Sequence, residues 1–148
     1  MIDSRLTGET AEDIYLGLLN LRGVFAGSFD THSFDGIIFD THNKYFKVGC
    51  SPFYVQIKCR GSAGDNYNTQ GFPPEKISAI RRVAQKLGIP ETSLYFVIGF
   101  YKNNDIRNVI YYTVPFSSLQ VFKTSGQYRF SVKRCQDVMR DDDNIFCL

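Results

Sequence analysis

Two extended stretches joined by a helical one constrain this chain most. Residues 53–59 alternate in character. Phe53, Val55, Ile57 and Cys59 face one way, and Tyr54, Gln56, Lys58 and Arg60 face the other. Residues 94–101 read as a second strand. Between them Pro73-Pro74-Glu75 opens a helix that runs to about Leu87. Proline in its first turn and Gly88 just past its end fit the usual asymmetry of helix termini. Its inner face is Ile77, Ile80, Ala84 and Leu87. A helix joining two consecutive strands favours a mixed sheet with helices on its faces.

The remaining segments extend that pattern. Residues 7–22 read as a first helix with Thr7 as N-cap and Glu9 and Glu12 near the positive end of the dipole. Ala11, Ile14, Leu18 and Leu21 recur at helical spacing as its buried stripe, and Gly23 is a natural stop. Residues 24–29 and 36–39 read as two strands, the former weaker. Residues 61–72 are polar and glycine-bearing, hence a loop. Residues 109–114 form a strand after the turn Lys102-Asn103-Asn104-Asp105. A short helix at 115–121 and a last strand at 128–133 follow, and Asp141-Asp142-Asp143 reads as a solvated, mobile tail. The order α-β-β-β-α-β, with further C-terminal strands, predicts an α/β (α+β) fold in one domain spanning 1–148. No repeat or linker interrupts it.

Charge narrows the partners less. A net charge of +2 gives no whole-chain case for a polyanion, so any nucleic-acid contact must be local. The most basic segment is the second helix, with Lys76, Arg81, Arg82 and Lys86; Arg60 and the 61–72 loop are further candidates for lining a substrate groove. Cys50, Cys59, Cys135 and Cys147 form no CxxC pair, which argues against a zinc ribbon and for reduced thiols. The first residues carry neither a basic region nor an apolar run. The expectation is a soluble, cytoplasmic protein without a membrane span.

The chemistry concentrates at the edges of the second and third strands. Phosphodiester hydrolysis needs a positioned water, charge stabilisation at phosphorus and help for the leaving oxygen. Magnesium supplies much of this and prefers oxygen ligands. Asp35 offers a carboxylate, Gln56 an amide oxygen and Ile57 a backbone carbonyl. Lys58, on the face of Gln56, could orient the attacking water or stabilise the pentavalent phosphorus. Glu12 could reach in from the first helix to hold a metal-bound water. Asp40 sits at the far end of its strand, and His32 and His42 flank that strand as loop residues.

These residues resemble the PD-(D/E)XK nuclease superfamily, the restriction-endonuclease-like fold. The matching stretches are Gly8-Glu9-Thr10-Ala11-Glu12, Phe34-Asp35-Gly36 and Gln56-Ile57-Lys58, within a core of about residues 7–101; residues 102–148 would be a C-terminal extension. The Gln-x-Lys form resembles Mrr-type nucleases and some intron-encoded homing endonucleases, and the first-helix motif resembles archaeal Holliday-junction resolvases. The resemblance implies a catalytic set of Glu12, Asp35, Gln56 and Lys58, with magnesium (or manganese in its place) on Asp35, Gln56, the Ile57 carbonyl and, through water, Glu12. It implies double-stranded or branched DNA as substrate. Cutting both strands with one site per chain favours a homodimer or larger assembly.

Two departures accompany it. Phe34 stands where the family name has proline, a position without chemistry. Gln56 stands where most members have Asp or Glu, which removes a negative charge from the metal site, although some active relatives share it. A catalytically inactive nuclease-fold protein that binds nucleic acid or a protein partner is the alternative expectation. An unrelated α+β interaction module is the third.

Overall fold

The computed structural model describes residues 4–29 and 33–148, with side-chain surroundings from residue 8 onward. Helix α1 (Ser4–Leu21) leads into β1 (Phe25–Ser28), β2 (Gly36–Phe39) and β3 (Phe53–Arg60). After β4 (Gln70–Phe72) and α2 (Pro74–Lys86) come β5 (Leu94–Phe100) and β6 (Ile110–Pro115). The chain then forms β7 (Lys123–Thr124), β8 (Gln127–Phe130), α3 (Val132–Asp141) and β9 (Phe146–Cys147). The principal sheet has the order β1-β2-β3-β5-β6-β9, and β4, β8 and β7 make a small second one. β3 and β5 are parallel and the other pairings antiparallel, so the sheet is mixed, as the strand–helix–strand pattern requires.

Helices cover both faces of this sheet, and β5 is buried along its whole length. On one face Tyr15, Leu16 and Leu19 of α1 pack with Ile38, Phe53, Val55 and Val97. On the other, Ile77, Ile80 and Ala84 of α2 pack with Phe34, Phe96, Ile98 and Val114. The alternation along β3 follows directly: odd-numbered residues pack under α1, whereas Tyr54 and Gln56 face α2.

Several expectations from the sequence are corrected. Helix α1 already contains Thr7, so Thr7 is not its N-cap. Its buried stripe is Ala11, Tyr15 and Leu19, with Leu16 beside it, while Leu21 is 85% exposed. The phase is set by two tyrosine hydroxyls: Tyr15 bonds Thr113 Oγ1 at 2.7 Å, and Tyr111 donates to the Ala11 carbonyl at 2.6 Å. Leu87 caps α2 in solvent instead of joining its inner face. The 61–72 segment is not all loop, because Gln70–Phe72 pairs with β8, and Gln70 donates to the buried Gly99 carbonyl at 2.8 Å. The expected strand at 128–133 stops at Phe130, where the Ser131 hydroxyl accepts from the Arg134 N–H and starts α3. The acidic tail is neither free nor outside the fold. Asp141 ends α3, Asp142 accepts from Ser118 at 2.5 Å, and β9 closes one edge of the main sheet. The expected short helix at 115–121 is present as a 3-10 segment, Phe116–Phe122.

Near the opposite edge, Phe25 of β1 and its partner Phe39 of β2 form a tilted ring pair at 5.7 Å, with both rings exposed to solvent. Among the described residues no helix is long and apolar enough to cross a membrane.

Candidate active site

Asp35 stands just before β2 begins, and the chain is arranged to hold its carboxylate. Its N–H donates to the Val55 carbonyl at 2.8 Å, and its carbonyl accepts from Phe29 at 3.1 Å. Oδ2 then accepts from the Ile57 backbone N–H at 2.7 Å and from Gln56 Nε2 at 2.8 Å. The side chain thus supplies β3 with an acceptor just beyond the last β2–β3 pair, Gly36–Val55. Gly36 is required by close approach: a Cβ there would lie 2.8 Å from Leu16 Cδ2 and 3.0 Å from Val55 Cγ2. A larger residue would require the Leu16 and Val55 side chains to shift.

Glu12 lies one turn from Tyr15 on α1, partly buried at the sheet surface. Burial, and after it the Asp35 carboxylate, raise its pKa from 4.5 to about 7 against the opposing pull of Lys58. Asp35 is raised too, mainly by burial, against the Ile57 N–H bond and Lys58. Glu12, Asp35 and Lys58 therefore share one electrostatic environment, and Gln56 is bonded into it. Asp35 and Gln56 are in direct contact, and Glu12 and Lys58 lie within electrostatic reach of Asp35.

That environment suits a hard cation in part. Two carboxylates share a half-buried place, each holding its proton more tightly than usual mainly through burial, and a divalent ion would compensate their charge. The available donors are oxygens, as magnesium prefers. Among the described residues, however, no three His, Cys, Asp or Glu side chains gather at one point, because the third position is Gln56. Its amide presents nitrogen to Asp35, so the expected oxygen-ligand role requires that group to turn over.

Other candidates occupy different places. The buried Asp40 carboxylate accepts from the N–H groups of Lys44, Tyr45 and Phe46 at 2.9, 2.7 and 2.9 Å, and so organises the loop after β2. His42 is exposed on that loop, and His32 lies outside the described residues. Arg60 is exposed at the end of β3. On α2, Arg81 pairs with Glu91 and sits over the Phe116 ring at 5.5 Å, while Lys76, Arg82 and Lys86 are exposed. Lys76 shares a cleft of about 230 Å³ with Gln56 and Lys58. Ser33, only 7% exposed, lines the same cleft and was not singled out from sequence. Its place just before Phe34-Asp35 was the available signal.

Comparison with solved structures places this architecture. The chain is similar to a Holliday junction resolvase, Hjc, from Archaeoglobus fulgidus, with a TM-score of 0.52 and 12% identity over 87% of this chain and 92% of that one. At that identity the likeness shows the fold, which is restriction-endonuclease-like, with a mixed central sheet flanked by helices. No family model matches the sequence, and no curated protein matches it.

Proposed function

We propose that this chain is a metal-dependent endonuclease that hydrolyses phosphodiester bonds in double-stranded or branched DNA, in the Gln-x-Lys manner of Mrr-type nucleases. The observation that carries the proposal is that Glu12, Asp35, Gln56 and Lys58, from three separate stretches of chain, lie within hydrogen-bonding or electrostatic reach of one another. Likeness in fold to a protein described as a Holliday junction resolvase supports branched DNA as the substrate to try first.

In this reading magnesium, with manganese as a substitute, would be held by Asp35, the Gln56 amide oxygen once that amide turns over, and the Ile57 carbonyl, with Glu12 acting through water. The ion supplies Lewis acidity at phosphorus and eases ionisation of water. The remaining work falls to side chains. Lys58 places a cation beside the phosphoryl oxygens as charge builds on them. Glu12, with its pKa raised to about 7, is tuned to take the proton from the attacking water. Water oxygen bonds to phosphorus, the bond to the leaving oxygen breaks, and that oxygen acquires a proton from solvent. Lys76, Arg60, Arg82 and Lys86 contact the DNA backbone, while Arg81, committed to Glu91, contributes less. A homodimer through the open β1 edge, where Phe25 and Phe39 are exposed, would supply a second site for the second strand.

The test is cleavage of plasmid, linear duplex and four-way junction DNA with magnesium, manganese or EDTA. Metal-dependent cutting that falls at least about 100-fold in Lys58→Ala is expected. Metal-dependent cutting that survives Lys58→Ala unchanged overturns the assignment. A second reading, an inactive nuclease fold that binds nucleic acid or a protein partner, is favoured by the Gln56 amide facing Asp35 through its nitrogen. DNA binding without cutting under any metal would establish it.

A further inference from the structure

The cleft beside the proposed site differs in character from the site itself. Gln56 and Lys58 form part of its wall, and Lys76 stands on its rim from α2. Apart from Ser33, its interior is carbon: Phe72 of β4, Phe96 of β5 and Ala79 of α2, with Ile77 and Ile80 of α2. Phe72 meets Phe96 edge-on at 5.0 Å, so an aromatic corner closes one side. A phosphate could meet Lys58 and Lys76, but it would gain nothing from the apolar inner walls, since burying a charge against carbon costs free energy. Nor can a duplex, with its bases stacked and paired, offer an apolar group to a recess.

At about 230 Å³ the cleft falls below the roughly 300–1,000 Å³ typical of drug-sized ligands. A single planar ring fits that scale. The occupant must also carry negative charge on either side, for Lys58 and Lys76. An unstacked nucleobase between two phosphates has both properties.

We infer that the cleft takes one extrahelical nucleobase next to the scissile phosphate, so that the protein selects DNA with an unpaired nucleotide at the cut position. This rests on the nuclease reading above. Unpaired and junction-flanking bases have little stacking to lose and enter most easily, which makes the recess a selectivity device. The catalytic lysine then reads two things at once, a phosphate and the base beside it.

The experiment uses fluorescein-labelled duplexes, identical except for one unpaired 2-aminopurine, titrated with the whole chain in calcium to prevent turnover. Binding is read by anisotropy and base environment by 2-aminopurine emission. Binding of the unpaired DNA at least about tenfold tighter than the paired DNA, with a change in emission on binding, is expected. In Ala79→Phe, which fills the recess, affinity for the unpaired DNA should drop to that for the paired DNA. Ala79→Leu is the milder companion if the larger variant fails to fold, and the wild-type emission signal needs no variant. Equal affinity for both DNAs with unchanged emission would overturn the base site and leave the nuclease reading standing. Failure to bind any DNA at low salt would overturn both.

Discussion

Replacing Gln56 by Glu probes the site most directly, because it restores the acid expected at that position. In this structure Gln56 Nε2 donates to Asp35 Oδ2 at 2.8 Å, and Gln56 is only 8% exposed. Glu would put an oxygen where the donor was. Two carboxylate oxygens at that separation cannot both stay ionised without a shared proton or a cation. A hydrogen bond to a charged acceptor is worth about 1.5–3 kcal/mol, so in EDTA at about pH 8 the variant should lose on the order of 2 kcal/mol. For a chain of this size that corresponds to about 6 °C in Tm. At about pH 5 a proton bridges the pair and most of the loss should disappear. Magnesium should reverse the order, since an added charge tightens metal binding and each tenfold gain in affinity adds about 1.4 kcal/mol at saturating ion. Thermal melts of both proteins in EDTA and in magnesium at the two pH values measure all of this. A Glu variant that melts at or above the wild type in EDTA at about pH 8, with no larger response to magnesium, would refute the account of how Asp35 is held.

Two further perturbations follow from the same geometry. Glu12 holds its proton to about pH 7 in the fold and releases it near 4.5 when unfolded, so it binds protons more tightly in the native state. Its contribution is therefore complete below pH 4.5 and lost as pH rises through 7; Glu12→Gln should remove that loss and gain on the order of 1 kcal/mol at about pH 8, discounted for partial exposure. Urea midpoints across that range check the sign, and parallel curves for the two proteins would contradict it. Asp40→Ala should cost about 3 kcal/mol or more by orphaning the N–H groups of Lys44, Tyr45 and Phe46, with metal response in melts unaltered. A loss under about 1 kcal/mol in the same urea experiment would show that water replaces the carboxylate there.

What the sequence made visible was periodic or local. Period-two alternation put Gln56 and Lys58 on one face of β3, and the strand–helix–strand order required the parallel β3–β5 pair. What it hid was decided by distant partners. The face of α1 is chosen by Tyr15 and Tyr111 hydroxyls bonding across 98 and 100 residues, which no stripe of aliphatic residues reveals. β4, β7 and β9 have two or three residues each and exist through pairing alone, so their own sequences carry almost no signal. The start of α3 was legible in principle, since Ser131 is a ready N-cap, but the β-forming run Tyr128–Phe130 masks the boundary. At the site, sequence located Asp35 beside Gln56. It could not show that the amide would turn its nitrogen toward the acid.

The Ile57 N–H, bonded to a side-chain carboxylate and not to a strand carbonyl, gives the molecule a private spectroscopic gauge. Its proton sits on the strand that carries Gln56 and Lys58, between the two layers of helices. Any event that changes the charge on Asp35, whether protonation, capture of an ion or approach of a phosphate, must change the field along that one bond. The amide resonance of Ile57 will thus register the state of the carboxylate from within the backbone, without a label and without turnover.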